Sequence, residues 1–266
     1  MNITLRAFVV SFCVILTGCA TSPKNKWDTS KSILPCWDSV KRSAATAAND
    51  TYTWAPLTTA FLFTLNNYDQ KTLDWATKEE PRYWGLERAK KKSNEMLDAL
   101  KANLLISSLA ANANSNSRLA YDLGFQLTAI GLNHAATKTL KQITDRKRID
   151  RDVSGTSKDS FPSSHASSAA IITRLTANNI DRTNISQVHK NWWKFSTFTA
   201  AALTGVERVK GKRHYPSDVF AGYALGNFLG IFLTELFVPE QDQSQVQVNL
   251  LVVPNGELGL LFFYQW

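Results

Sequence analysis

The sequence contains little cysteine, and this scarcity limits how the fold can be held together. Cys13, Cys19 and Cys36 are the three cysteines in 266 residues. Cys13 lies inside an apolar N-terminal run and Cys19 follows that run, so Cys36 has no partner for an intrachain disulfide. The fold must therefore be held by packing. Cys36, between Pro35 and Trp37, is predicted to be a buried, small hydrophobic residue.

The sequence also lacks a long uncharged run outside its N-terminus. Asp218 and Glu235 bound the uncharged part of the most apolar stretch, which is shorter than the roughly 20 residues that a membrane-spanning helix needs. Glycine recurs there every four residues, at Gly222, Gly226 and Gly230. We expect a buried central helix over 219–238, with a second helix packed closely against these glycines.

Basic residues outnumber acidic ones, but they form no dense cluster with interleaved aromatic residues. The formal net charge is +8, and the densest basic stretch is RAKKK at 88–92, which is predicted to be the solvated face of a helix. A nucleic-acid partner is therefore not expected. The positive charge favours phosphorylated small molecules or an anionic membrane as partners.

The N-terminus has the pattern of a bacterial lipoprotein. A short apolar run ends in LTGC, from Leu16 to Cys19, which resembles the site where a cysteine is lipidated and becomes the new N-terminus. The alternative is an ordinary signal peptide with a chance cysteine. We expect a signal peptide over 1–18 and a polar tether over 19–34. Because Ala20 rather than an aspartate follows Cys19, we expect the outer membrane, facing the periplasm.

Beyond the tether the apolar residues follow a helical period. The expected fold class is all-α, a bundle of about six or more helices with a short C-terminal β-hairpin. The bundle is predicted over 35–240. The hairpin is predicted over 241–266, where two apolar stretches flank the turn residues PNGE. We expect the hairpin to be an accessory element outside the catalytic bundle.

A short segment within the bundle, FPSSHASSAA at 161–170, combines features of an anion-binding helix start. Pro162 suits the first turn of a helix, and the first N–H groups of a helix carry partial positive charge without an intrahelical partner. Ser163 and Ser164 allow close approach of a ligand, and His165 follows them. Taken alone, the segment fits equally well an N-cap serine beside an incidental histidine.

Two further segments add cationic and titratable residues. Lys141 and Arg148 are seven residues apart, and Arg208, His214 and Asp218 follow in order. Pro216 places a helix start directly after His214, so the carboxylate of Asp218 is expected close to the imidazole. Each feature has a simpler explanation by itself, either a solvated basic face or an acidic residue that offsets a helix dipole.

Together these segments resemble the type 2 phosphatidic acid phosphatase (PAP2) superfamily, which includes bacterial class A acid phosphatases, lipid phosphatases and vanadium haloperoxidases. That family has Lys-x6-Arg-Pro, then Pro-Ser-Gly-His, then Ser-Arg-x5-His-x3-Asp. This chain matches the intervals over about residues 119–238. It departs from the pattern with Ile149 for proline, Ser164 for glycine and Glu207 for serine.

The resemblance implies a metal-independent phosphatase without a cofactor. His214 would be the nucleophile that forms a phosphohistidine, Asp218 would orient it, and His165 would protonate the leaving oxygen. The resemblance also implies a set of phosphate-binding residues, namely Lys141, Arg148, Ser163, Ser164 and Arg208. His134 and His189 lie outside these motifs and are predicted to be structural.

Two alternatives to a phosphatase stay open at this level. A vanadium haloperoxidase would bind vanadate with the same residues that are expected to bind phosphate. A non-catalytic envelope protein with a decayed site is suggested by Ser164 and Glu207. The substrate also stays open between a lipid phosphate and a soluble phosphoester, and homo-oligomerisation is an open question.

Overall fold

The computed structural model describes residues 35–78, 85–149 and 159–238, together with the backbone of two strands near the C-terminus. The predicted signal peptide and tether, including the lipidation site at Cys19, lie outside the described residues. The predicted boundaries between tether, bundle and hairpin therefore stay predictions.

The described residues contain eight α-helices. In chain order they are α1 (Trp37–Asn49), α2 (Thr51–Thr64), α3 (Tyr68–Lys78), α4 (Leu86–Ala111), α5 (Asn116–Thr144), α6 (Ser164–Asp181), α7 (Gln187–Lys210) and α8 (Pro216–Phe237). A single 3-10 turn, Leu65–Asn67, separates α2 from α3. The expectation of an all-α bundle with six or more helices is confirmed.

The helix boundaries follow from local sequence. Asp50 caps α2 by accepting the N–H of Tyr52 at 2.9 Å. Pro216 begins α8 at a position where its missing N–H costs nothing. At the end of α5, Asp145 adopts a left-handed conformation with φ of 49°, which ends the helix and turns the chain toward the segment that contains Arg148.

The apolar helix α8 packs mainly against α6 and α2, and its glycines permit this contact. A Cβ on Gly222 would lie 2.6 Å from the backbone oxygen of Ser163, and one on Gly226 would lie 2.1 Å from that of Ser167. No side chain fits at either position without moving the backbone of α6. The prediction that glycines let a second helix approach this stretch closely is correct.

By length and composition, α8 is also the one helix among the described residues that could cross a membrane. Half of its most apolar window is buried within the bundle. Burial against α6 and α2 therefore accounts for much of its apolar character.

The apolar core lies between α4, α6 and α7. Its largest members are leucine and isoleucine side chains, including Leu97, Leu100, Leu104, Ile171, Ile172 and Leu175. Cys36 is not part of this core. It is exposed and lies directly before α1, so the expectation of a buried cysteine was wrong.

Two strands near the C-terminus, Val246–Val252 and Leu258–Tyr264, pair antiparallel. Their side chains and the intervening residues 253–257 lie outside the described part of the chain. The hairpin as an accessory unit with its own packing surface therefore stays a prediction.

Candidate active site

The predicted site residues come from separate parts of the chain and meet at the N-terminal end of α6. Lys141 and Arg208 lie in the last turns of α5 and α7. His165 lies in the first turn of α6, and His214 directly precedes the start of α8. Burial lowers the pKa of Lys141 to about 8, and the positive charges of Arg148 and Arg208 also lower it. These three cations therefore lie close enough to interact electrostatically.

His214 is buried and held in one tautomer. Its Nδ1 lies 2.8 Å from the carbonyl oxygen of Ser160. A carbonyl oxygen only accepts hydrogen bonds, so Nδ1 must donate its proton. Burial, assisted by the positive charge of Arg208, lowers the pKa of His214 to about 4. At neutral pH the ring is therefore uncharged, and Nε2 carries a lone pair.

Asp218 is fully buried and accepts three short hydrogen bonds. Ser160 Oγ donates at 2.6 Å, the N–H of Tyr215 at 2.9 Å, and Arg146 Nη1 at 2.6 Å. Its Oδ2 lies 3.8 Å from Nδ1 of His214. Burial alone would raise the pKa of Asp218, but the contact with His214 and the charge of Arg146 outweigh it and hold the pKa low. Asp218 and His214 therefore share Ser160 as a hydrogen-bond partner, and they interact directly only by electrostatic attraction at 3.8 Å.

Arg146 connects Asp218 to helix α3. Its Nη2 donates to Asp69 Oδ2 at 2.8 Å, and its guanidinium lies 4.3 Å from the ring centroid of Tyr215. Asp69 also accepts the N–H of Ser217, in the first turn of α8, at 2.9 Å. Asp69 and Arg146 thus fix the start of α8, and with it the positions of Asp218 and His214.

Two of the predicted phosphate-binding cations, Lys141 and Arg148, both contact Asp159. The carboxylate oxygens of Asp159 lie 2.7 and 2.8 Å from Nε and Nη2 of Arg148. The Nζ of Lys141 donates to the backbone carbonyl of Asp159. In this arrangement a carboxylate lies on Arg148 where an anionic ligand would bind.

The third cation, Arg208, is buried, and its Nη1 donates to Ser93 Oγ on α4 at 3.2 Å. Glu207 beside it is buried as well. Its Oε2 has no hydrogen-bond partner, and it forms no ion pair with a lysine, among the described residues.

At the start of α6, the residues predicted to bind an anion differ in whether their hydrogen-bonding groups are already used within the protein. Ser163 is fully buried; its N–H donates to the backbone oxygen of Asp218 at 2.9 Å, and its Oγ caps the N–H of Ala166 at 3.4 Å. Ser164 and His165 take the first two helical positions, where backbone N–H groups have no intrahelical acceptor. The geometry therefore favours these two amides for contact with an anion.

His165 is held by a residue from a distant helix. Its Nε2 lies 2.8 Å from Asn94 Oδ1 on α4. Burial, with the nearby charge of Arg208, lowers the pKa of His165 to about 3. The ring is thus neutral without a ligand. A bound phosphate dianion would add negative charge beside it and raise the pKa again.

The residues of this site that were not predicted from the sequence include Asp69, Asn94, Arg146, Asp159 and Ser160. Arg146 lies between Lys141 and Arg148, and Ser160 directly precedes the segment FPSSHASSAA. Their positions beside these motifs could have marked both as candidate site residues. Asp69 and Asn94 lie on α3 and α4, far from the motifs, and no local pattern marks them.

Comparison with known proteins agrees with this geometry. Residues 125–241 match the family model described as the PAP2 superfamily. The predicted resemblance to this superfamily is therefore confirmed over these residues. The match includes every predicted site residue of the bundle.

Among solved structures, the fold is similar to that of a transmembrane PAP2-type phosphatidylglycerolphosphate phosphatase from Bacillus subtilis. The TM-score is 0.56 and the identity 22%, and the match covers 69% of this chain and 92% of the other. At this identity the likeness concerns the fold. No significant match occurs among the curated proteins.

The buried, neutral His214 predicts acid-sensitive stability. Above about pH 6.5 the ring is uncharged in both folded and unfolded chains. Between that value and about pH 4 the unfolded chain takes up a proton that the folded site does not, so stability falls as the pH falls. The expected loss from this group is on the order of 3 kcal/mol in the free energy of unfolding.

Urea unfolding of wild type and His214→Asn at pH 7 and pH 4 measures this loss. Asparagine retains an N–H for the Ser160 carbonyl but does not titrate, so its pH dependence should be smaller. His189→Asn is the matched control, since His189 is exposed and bonded only to Ser186 Oγ at 2.6 Å among the described residues. Equal pH dependence in wild type and His214→Asn would contradict the prediction.

Proposed function

We propose that this protein is a metal-independent phosphatase that hydrolyses phosphate monoesters, including lipid phosphates, through a phosphohistidine on His214. The observation that carries the proposal is the state of His214. Its Nδ1 donates to the Ser160 carbonyl, and burial together with the charges of Arg208 and Lys141 lowers its pKa to about 4, which leaves Nε2 with a free lone pair. A neutral imidazole with one engaged nitrogen is a competent nucleophile at pH 7.

The cations supply charge compensation in this mechanism. A transferring phosphoryl group carries nearly two negative charges, which fixed cations and N–H groups stabilise best when they are already in place. Lys141, Arg148 and Arg208 provide the charge, and the amides of Ser164 and His165 provide further donors at the helix start.

The reaction then proceeds in two balanced steps. Nε2 of His214 forms a bond to phosphorus while the bond to the leaving oxygen breaks, and His165 delivers a proton to that oxygen. A water molecule next attacks phosphorus, His165 takes a proton from the water, and the bond between phosphorus and His214 breaks. His165 is then protonated again, as it was once the dianion had bound, and it loses that proton when inorganic phosphate leaves; His214 returns to its neutral form.

A substrate panel tests the function. The detergent-solubilised full-length protein is assayed against phosphatidic acid, an isoprenoid diphosphate and a soluble aryl phosphate, with EDTA present. We expect turnover with EDTA and none in His214→Asn, which retains the donor to Ser160. Absence of turnover on every phosphoester, or loss of turnover with EDTA that a divalent metal restores, would reject the proposal.

A membrane substrate is supported by the surface of the bundle. Large apolar side chains are exposed on one face each of α2 and α7: Trp54, Leu57, Phe61, Val188, Trp192 and Phe195. Apolar patches of this kind mark membrane or protein contacts. They are consistent with a membrane protein, and the similar Bacillus subtilis protein is described as a transmembrane PAP2-type phosphatidylglycerolphosphate phosphatase.

The proposed location is the bacterial envelope, with an N-terminal lipid on Cys19. Cys19→Ser should abolish lipidation and move the protein out of the outer-membrane fraction, because the serine hydroxyl does not form the thioether. Membrane fractionation and intact-mass analysis measure both effects. Cys36→Ser, at an exposed cysteine, is the matched control. Unchanged processing and unchanged fractionation in Cys19→Ser would contradict the anchor.

One observation favours a second, non-catalytic reading. Glu207 is buried next to Arg208, and its Oε2 lacks a hydrogen-bond partner among the described residues. A carboxylate beside a phosphate-binding arginine opposes anion binding. Glu207→Ser restores the residue that the family pattern has at this position. A wild type that is inactive on the panel, together with an active Glu207→Ser variant, would support the decayed site.

A further inference from the structure

Asp159 places its carboxylate against the guanidinium of Arg148, where a phosphate is expected to bind. Both carboxylate oxygens face the guanidinium, at 2.7 Å from Nε and 2.8 Å from Nη2. Nη2 donates a hydrogen bond to Oδ2, and Nε lies within ion-pair distance of Oδ1 without forming a hydrogen bond. Arginine binds phosphates through this same edge of the guanidinium. A phosphoryl group that binds Arg148 in the same way must therefore replace the side chain of Asp159.

The two partners differ in how easily they can move. The Arg148 side chain is 18% exposed and that of Asp159 is 44% exposed, so the carboxylate can turn into water while the guanidinium stays buried. The backbone next to Asp159 is fixed, because the N–H of Ser160 donates to the carbonyl of Arg146 at 2.9 Å and the Ser160 hydroxyl donates to Asp218. Displacement therefore involves a side-chain rotation with little backbone movement.

Charge decides which ligands displace the carboxylate effectively. A phosphodiester carries one negative charge over two oxygens, as a carboxylate does, and gains nothing on Arg148 by replacing it. A terminal phosphate dianion carries about two charges and also interacts with Lys141 and Arg208. Only the dianion adds electrostatic stabilisation beyond what Asp159 already supplies.

We infer that Asp159 is a specificity-determining residue, an internal anion on Arg148 that favours terminal, dianionic phosphates over phosphodiesters. The inference rests on the proposed function and names the substrate class of the same site. While Asp159 contacts Arg148, a phosphate cannot bind the same guanidinium, so the apparent affinity for phosphate falls in proportion to the fraction of molecules in which the Asp159 side chain has turned away.

Asp159→Asn tests the inference, because the amide retains the shape but not the charge. We expect inorganic phosphate, measured by calorimetry on the full-length protein, to bind about tenfold more tightly. We also expect KM for an aryl phosphate monoester to fall about tenfold with little change in kcat, and the preference for the monoester over the matching diester to narrow. Asp74→Asn is the control for net charge, since Asp74 is exposed on α3 and accepts a bond from Gln70.

The direction of change separates the possible outcomes. Weaker phosphate binding in Asp159→Asn would mean that Asp159 positions Arg148, and unchanged binding would mean that it does not compete; either result overturns the inference. Asp159→Ala repeats the test if the asparagine variant folds poorly. If Asp159→Asn binds phosphate more tightly but the wild type hydrolyses no ester, the role of Asp159 as an internal anion is supported and only the proposed phosphatase activity is rejected.

Discussion

His214→Ala should abolish hydrolysis of phosphate esters and prevent formation of any phosphorylated protein. Phosphoryl transfer in the proposed mechanism needs the lone pair on Nε2, and alanine offers no atom to replace it. We expect turnover to fall to the uncatalysed background. Initial rates on an aryl phosphate and intact-mass analysis after a rapid alkaline quench measure the two effects.

The buried position of His214 requires a second variant. Alanine leaves a cavity and removes the donor to the Ser160 carbonyl, so misfolding could mimic loss of chemistry. His214→Asn retains a donor and should be equally inactive while it unfolds in urea near the wild-type midpoint. His134→Ala changes an exposed histidine on α5 and should remain active. Substantial turnover in a folded His214→Asn would exclude His214 as the nucleophile.

Experiments with vanadate distinguish a phosphatase from a vanadium haloperoxidase. The five-coordinate form of vanadate resembles the transition state of phosphoryl transfer, so competitive inhibition of hydrolysis is expected. Vanadate binding, measured by calorimetry, should weaken strongly in His214→Asn, which has no ring nitrogen to bond to vanadium. A wild type that hydrolyses no ester but oxidises bromide with vanadate and peroxide would identify a haloperoxidase.

His165→Ala should slow hydrolysis by on the order of 10²–10⁴-fold, the usual contribution of a positioned proton donor. The proton on Nε2 is engaged by Asn94 Oδ1, and a bound dianion raises the pKa of the ring from its low unliganded value. The deficit should be large for alkyl phosphates and small for aryl phosphates, whose leaving groups need little protonation. A series of esters with graded leaving groups measures this dependence.

The leaving-group series distinguishes proton transfer from a structural role of His165. A distorted site would lower the rate on all esters by a similar factor, whereas loss of the acid steepens the dependence on the leaving group. Asn94→Ala should give a milder version of the same steepening, because it frees the ring without removing it. A uniform loss across the series would contradict the assignment of His165 as the acid.

Much of the site could be read directly from the sequence. Lys141, Arg148, Arg208, His165 and His214 occur at recognisable intervals, because each interval is set by a helix end whose capping and proline chemistry is local. The all-α fold was predicted because the helical period in a long amphipathic segment depends on near neighbours in the chain. The close packing on α8 followed from glycines spaced one helical turn apart.

The tertiary structure decided what surrounds those residues. Asn94 meets His165, and Asp69 meets Arg146, across more than seventy residues of chain, so no local pattern could reveal them. The orientation of His214 also depends on tertiary structure. The carbonyl that accepts its hydrogen bond belongs to Ser160, in the segment before α6, whereas His214 lies just before α8. Hydrogen bonds and burial depend on which surfaces meet, whereas motifs depend on intervals along one chain. The sequence therefore indicated the kind of chemistry to expect, and the packing determined the protonation states of the histidines and the contact of Asp159 with Arg148.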